Sequence, residues 1–175
     1  MTSNESVQPP AIPVLLGVFA LLSLLFTGAI FGFFYAWICS TMWGLDAADP
    51  KVAIAAMQAM NASVRNAVFA PAFFGTPVVL FATAIFAWVA TYRRAALLFI
   101  LAGLVYFFGG IVLTFNVNVP MNEALALIEI PPSPAEAQQI WQDYSAPWQV
   151  WNITRTIASG LALLLTGSAI LTLRK

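Results

Sequence analysis

The chain has 175 residues, 61% of them hydrophobic and only 8% charged, with a formal net charge of +0; a soluble domain carries about 25% charged residues. That balance excludes a water-soluble globule and a basic nucleic-acid surface, and it points to one domain surrounded by membrane lipid. The lack of histidine and the single Cys39 remove His-ligated haem, His-containing zinc or copper sites, imidazole catalysis, internal disulfides and CxxC redox pairs.

Residues 1–12 contain Glu5 and no Lys or Arg. The apolar run after them is longer than a secretory signal core, so it is read as a spanning helix. Four such runs occur, at about 13–38, 68–90, 95–115 and 148–173, each near the roughly 20 residues that cross a bilayer. Helices are the expected form, because a backbone in hydrocarbon must satisfy its own hydrogen bonds. The expectation is an all-α membrane protein over residues 1–175. It is a four-transmembrane-helix bundle with a long structured loop between helices 3 and 4. Gly28 and Gly32 form a GxxxG in the first run, which predicts close helix packing within the bundle or in a homo-oligomer.

The first connection contains Asp49-Pro50, an N-cap followed by Pro at the first helical position. The helix it opens is read with Val52, Ala55, Ala56, Ala59 and Met60 on its apolar side. It is read as running through Arg65, with Pro71 bending it. Gly75 and Pro77 in the second run point to a distortion beside a cavity. Thr91-Tyr92-Arg93-Arg94 forms a tight basic turn to the third run.

The third connection, about 116–147, is too long to be plain coil. It begins with Asn116-Val117-Asn118-Val119-Pro120-Met121-Asn122. If this piece is extended, Asn116, Asn118, Pro120 and Asn122 alternate onto one side. There the amides either hydrogen-bond a ligand carbonyl or phenol, or cap a helix end. Further on, Ser133-Pro134-Ala135-Glu136 is a capping box with Pro at N1, which predicts a short helix to about Tyr144.

The last run opens with Trp148, Trp151, Asn152 and Arg155, at i, i+3, i+4 and i+7, so one helix face carries all four, with Tyr144 a turn earlier. Two indoles, an amide and a guanidinium at a membrane entrance are costly to keep. They read either as an interfacial belt with a snorkelling cation or as a wall for a flat aromatic anion. Arg65, with Asn61 at i−4, lies at a matching depth on another helix. Without histidine, a proton acceptor has to be Glu123, Asp143 or a tyrosine. Arg93-Arg94 and the terminal Arg174-Lys175 lie on one side of the chain's path and imply cytoplasmic termini, in a multi-pass protein of the bacterial inner membrane type.

Taken together, the Asn116–Asn122 segment, Trp141, Tyr144, Trp148, Trp151-Asn152 and Arg155, with Met57-Gln58-Ala59-Met60-Asn61 before them, resemble the anthrone-oxygenase-like membrane family. The resemblance covers roughly residues 19–173. It implies oxidation of a lipophilic anthrone by molecular oxygen with no metal, flavin or other cofactor. By that analogy Arg155 and Asn118 or Asn122 stabilise an enolate, Trp148 and Trp151 stack on its rings, and Asp143 or Glu123 is the base. Asn116, Asn152, Arg65 and Asn61 complete the expected ligand-binding set. The competing reading is a non-enzymatic membrane protein that binds a lipid or quinone-like molecule or serves as a subunit of a larger assembly. A transporter fits less well, since no inverted repeat and no acidic residue within a span is visible.

Overall fold

In the computed structural model, which describes residues 11–173 with side chains from Pro13 onward, every regular element is helical. The first twelve side chains and the Arg174-Lys175 pair, on which part of the orientation reading rests, lie outside the described residues. Four helical stretches are long and apolar enough to cross a membrane: Pro13–Asp46, Phe69–Val89, Arg93–Ala126 and Pro134–Leu171.

The first stretch comprises α1 (Ala11–Ala36), a π-helical turn (Trp37–Thr41) and α2 (Met42–Asp46). Next, α3 (Pro50–Ser63) starts as the Asp49-Pro50 pair predicts, with the Asp49 carboxylate accepting from the Lys51 backbone N–H at 2.9 Å. Its inward face differs from the expected one. Ala53, Ile54 and Met57 are buried while Val52 is 58% exposed, because the flat, Ala-rich helix docks through its bulkier Ile and Met. It also stops at Ser63 rather than passing Arg65. Asn66 ends it by accepting from the Val68 and Phe69 backbone N–H groups, so a fresh helix, α4 (Phe69–Val89), begins there. Pro71 therefore falls in the first turn of α4 and not in the interior of one helix running through Arg65.

Pro77 sits inside α4 and leaves the Phe73 carbonyl without its helical donor. The Tyr106 hydroxyl of α5 (Arg93–Tyr106) donates to that carbonyl at 2.9 Å. From α5 the chain stays helical through two π segments (Phe107–Val112 and Thr114–Asn118) into α6 (Val119–Ala126). The Asn-rich piece is thus helical, not extended. Backbone near the bilayer keeps its bonds internal, and wide turns absorb the awkward residues. Asn118 and Asn122 consequently share a face and Asn116 does not.

A short connection, 127–133, leads to α7 (Pro134–Leu171). Ser133 caps it, its hydroxyl accepting from the Glu136 N–H at 3.4 Å. The helix continues through Pro147, so the expected short loop helix and the fourth span are one rod of 38 residues. The long connection is therefore helical over most of its length.

In the spanning part α1 packs on α4 and α7, and α5 packs on α4 and α7. Small side chains make that core: Ala84, Ala87, Ala95, Ala96, Ala102, Ala162 and Ala169 are all buried, around Phe34, Leu80, Phe99 and Tyr106. A Cβ at Gly109 would collide with Ala158 Cβ, so the π segment after α5 approaches α7 through that glycine. Gly28 and Gly32, by contrast, have open space among the described residues where a side chain would stand. Outward, Leu21, Leu25, Val78, Ile85 and Leu164 are each at least 63% exposed, a surface for lipid tails. A second core (Met42, Ile54, Met57, Leu125, Trp141, Tyr144 and Trp148) joins α2, α3, α6 and the first half of α7 into a cap over one end. Asp46 holds this cap together, accepting from Trp141 Nε1 at 2.9 Å, Ser145 Oγ at 2.6 Å and Gln149 Nε2 at 2.8 Å.

Candidate functional site

Where the cap meets the spanning core lies a cavity of about 600 Å³, within the range of small-molecule sites. Its walls come from α1 (Phe33, Phe34), the π turn after it (Trp37), the end of α3 and the turn to α4 (Asn61, Arg65), α4 (Phe69, Phe73, Phe74), the second π segment after α5 (Thr114, Phe115), α6 (Asn122, Glu123) and α7 (Trp148, Arg155).

Arg155 is the centre of its chemistry. The residue is only 6% exposed. Its Nη2 donates to Asn152 Oδ1 at 2.6 Å and its Nη1 to Thr114 Oγ1 at 3.1 Å. Asn152 is itself held by donating to the Phe34 carbonyl at 3.2 Å. The guanidinium lies 4.6 Å above the Phe34 ring and 5.5 Å from the Trp148 ring. Its Nε has no hydrogen-bond partner. The only ion pair among the described residues joins Arg65 to Glu123, at 3.3 Å, so no carboxylate among them pairs with Arg155. A buried cation without a counterion is expensive, and this one borders a cavity.

A second knot positions the wall. Asn122 Oδ1 accepts from the Tyr144 hydroxyl at 2.8 Å and from Trp148 Nε1 at 2.9 Å. Asn61 Nδ2 reaches the same tyrosine oxygen at 3.4 Å. The indole of Trp148 is thus fixed, with Trp37 packed on it at 5.2 Å. The lining also includes the exposed Arg65–Glu123 pair and half-exposed Phe74 and Phe115, 6.1 Å apart.

Of the residues singled out in the sequence, Arg155, Trp148, Asn122, Asn61, Arg65 and Glu123 therefore line one cavity, and Asn152 stands behind Arg155. Four others do not. Asn116 is exposed and its amide donates to the Val112 carbonyl at 2.7 Å. Asn118 is fully buried, with neither amide atom bonded, beside the cavity wall in sequence but outside its lining. Asp143 is exposed and accepts from Gln139 at 2.8 Å. Trp151 is 39% exposed on the outer flank of α7. At about 100° per residue, Trp151 lies about 60° from Trp148 on one side while Asn152 lies about 40° on the other. The buried stripe follows Trp141, Ser145, Trp148, Asn152, Arg155 and Ser159 and leaves Trp151 at its edge.

Thr114 and the phenylalanines of α1 and α4 belong to the site without having been singled out. Thr114, Asn118 and Asn122 recur every four residues, a signal available once that segment is read as helical. Plain Phe in an apolar run carries no such signal. Among the described residues no group of three or more Cys, Asp or Glu side chains stands close enough to hold a metal ion.

Comparison with known proteins bears on this site directly. No curated protein and no solved structure matches the chain. A family model for anthrone oxygenases matches residues 65–165, a stretch that runs from Arg65 through Thr114, Asn122 and Trp148 to beyond Arg155. That stretch is more than half of the chain, and the chain belongs to the anthrone oxygenase family.

Proposed function

We propose that the protein binds a flat, acidic aromatic of the anthrone type in this cavity and oxidises it with molecular oxygen. The observation that carries the reading is Arg155: a buried guanidinium paired with no carboxylate among the described residues, at the border of an aromatic-walled cavity. An anthrone methylene loses a proton readily because the resulting anion spreads its charge to the ring oxygen. Stabilisation of that oxygen by a preorganised cation favours ionisation. Trp148 and the phenylalanines suit a planar ring system.

Glu123 serves as the base in this reading, since it lines the cavity and Asp143 does not. It takes the first methylene proton. The carbanion passes an electron to oxygen, and the radical pair closes a carbon–oxygen bond to give a peroxide, which takes the proton back from Glu123. Removal of the second methylene proton breaks the oxygen–oxygen bond, leaving a ketone and hydroxide, and Glu123 returns that proton to form water. The sum is one methylene and one dioxygen giving one carbonyl and one water. The chain's own residues supply the base, the cation and the stacking walls.

The test uses purified protein in lipid nanodiscs, a hydroxyanthrone and an oxygen electrode. Arg155→Leu is expected to lower turnover by about 100-fold, the size typical for losing one oxyanion donor, while the helix content by circular dichroism is kept. Turnover equal to the parent protein sinks the role of Arg155. Saturable binding that Arg155→Leu abolishes, without oxygen uptake by either protein, favours a binder of phenolic or quinone-like ligands.

A further inference from the structure

A second hollow, of about 440 Å³, lies between α1 and the start of α4. Ala29 and Ile30 form one bank; Val68, Phe69 and Ala72 form the other. It shares Phe33, Trp37, Met60, Val64, Asn66 and Phe69 with the candidate site, so the two spaces adjoin. The Phe33–Phe69 ring pair, 4.8 Å between centroids, borders both spaces.

The groove has no charged residue in its lining, and apart from the Trp37 indole N–H its polar side chains, Asn66 and Ser63, bond to backbone. Asn66 accepts from the Val68 and Phe69 N–H groups and donates to the Ser63 carbonyl at 2.7 Å. Ser63 donates to the Met60 carbonyl at 3.0 Å. The groove therefore fits hydrocarbon, and the main cavity holds the cation and the amides. One amphiphile can satisfy both.

We propose that the groove holds an alkyl or isoprenoid substituent of the same molecule whose acidic ring system lies against Arg155. The proposal rests on the ligand class assigned above and narrows it: the natural ligand is a phenol or enol that carries a hydrocarbon chain. The chain leaves the site past Phe33 and Phe69, along the α1–α4 seam and towards lipid, so the ligand need not leave the bilayer to bind.

Two photoprobes test this in nanodiscs, with crosslinked peptides read by mass spectrometry. One is a hydroxyanthrone with a diazirine at the end of an alkyl chain; the other carries the diazirine on the ring. The chain probe is expected to mark peptides containing Ala29 or Val68–Ala72, and a tenfold excess of unlabelled alkyl-hydroxyanthrone should cut that labelling about tenfold by mass action. The ring probe is expected to mark the Trp148–Arg155 peptide. Ala72→Phe, or Ala29→Phe from the opposite bank, should remove the chain crosslink and retain the ring crosslink. If the ring probe labels competitively while the chain probe labels only lipid or other helices, the groove assignment falls and the site reading stands. If neither probe is competed, both fall. Groove labelling by a diazirine phospholipid that hydroxyanthrone does not displace assigns the groove to a membrane lipid and overturns the proposal.

Discussion

Asn122 links the two halves of the site. A single oxygen atom accepts from both Tyr144 and Trp148, and the two donors come from α7 while the acceptor comes from α6. Loss of that atom leaves two part-buried donors to find water or go unmet, at about 1–3 kcal/mol for each one stranded. Asn122→Ala is therefore expected to lower the unfolding midpoint in detergent and to shift tryptophan emission to the red as the Trp148 indole loosens. Asn122→Asp keeps both acceptor bonds but sets a carboxylate in the cavity that Arg155 borders. Its expected outcome is near-parental stability with loss of anion binding, measured by quenching with a hydroxyanthrone. Full binding by Asn122→Asp would show that the cavity takes a neutral ligand. The same residue marks the limit of sequence reading at this scale. Asn122 and Arg155 stand out because amides and guanidinium are rare amid hydrocarbon, whereas i, i+3 spacing allows Trp151 the same face as Trp148. Only the packing shows where that face is centred, and Trp151 falls outside it.

At the level of elements, the four apolar runs were legible from length and hydropathy alone, and the two caps at Asp49 and Ser133 from local chemistry. The continuity of α7 through Pro147 and the π turns around Thr114 were not. Both depend on what neighbouring helices do for a disturbed backbone, information that no local window contains. Pro77 of α4 shows the principle in testable form. Its missing N–H frees the Phe73 carbonyl, and the Tyr106 hydroxyl takes the vacancy from α5. Tyr106→Phe should cost about 1–3 kcal/mol, because a buried acceptor loses its donor. In a Pro77→Ala background the restored backbone N–H serves that carbonyl, and the same substitution should cost clearly less. A double-mutant cycle by reversible unfolding in detergent measures the difference. Equal costs in both backgrounds would mean that Tyr106 acts through packing and not through the carbonyl.

For the whole molecule, the decisive asymmetry is between its two ends. The α4–α5 end is closed by alanines and a tight turn at Thr91, while the other end carries the cap, the cavity and the Arg65–Glu123 pair. The side that faces the cytoplasm decides from which direction oxygen, protons and water reach the site. Arginines next to short turns are retained on the cytoplasmic side during insertion, and Arg93-Arg94 mark the closed end. We infer that the cap faces outward. Cys39, the single cysteine, provides the test, since it is exposed in the π turn where α1 enters the cap. A membrane-impermeant maleimide is expected to label Cys39 on intact spheroplasts. Thr91→Cys in a Cys39→Ser background should react only after the membrane is opened. The reverse pattern would place the cavity on the cytoplasmic side.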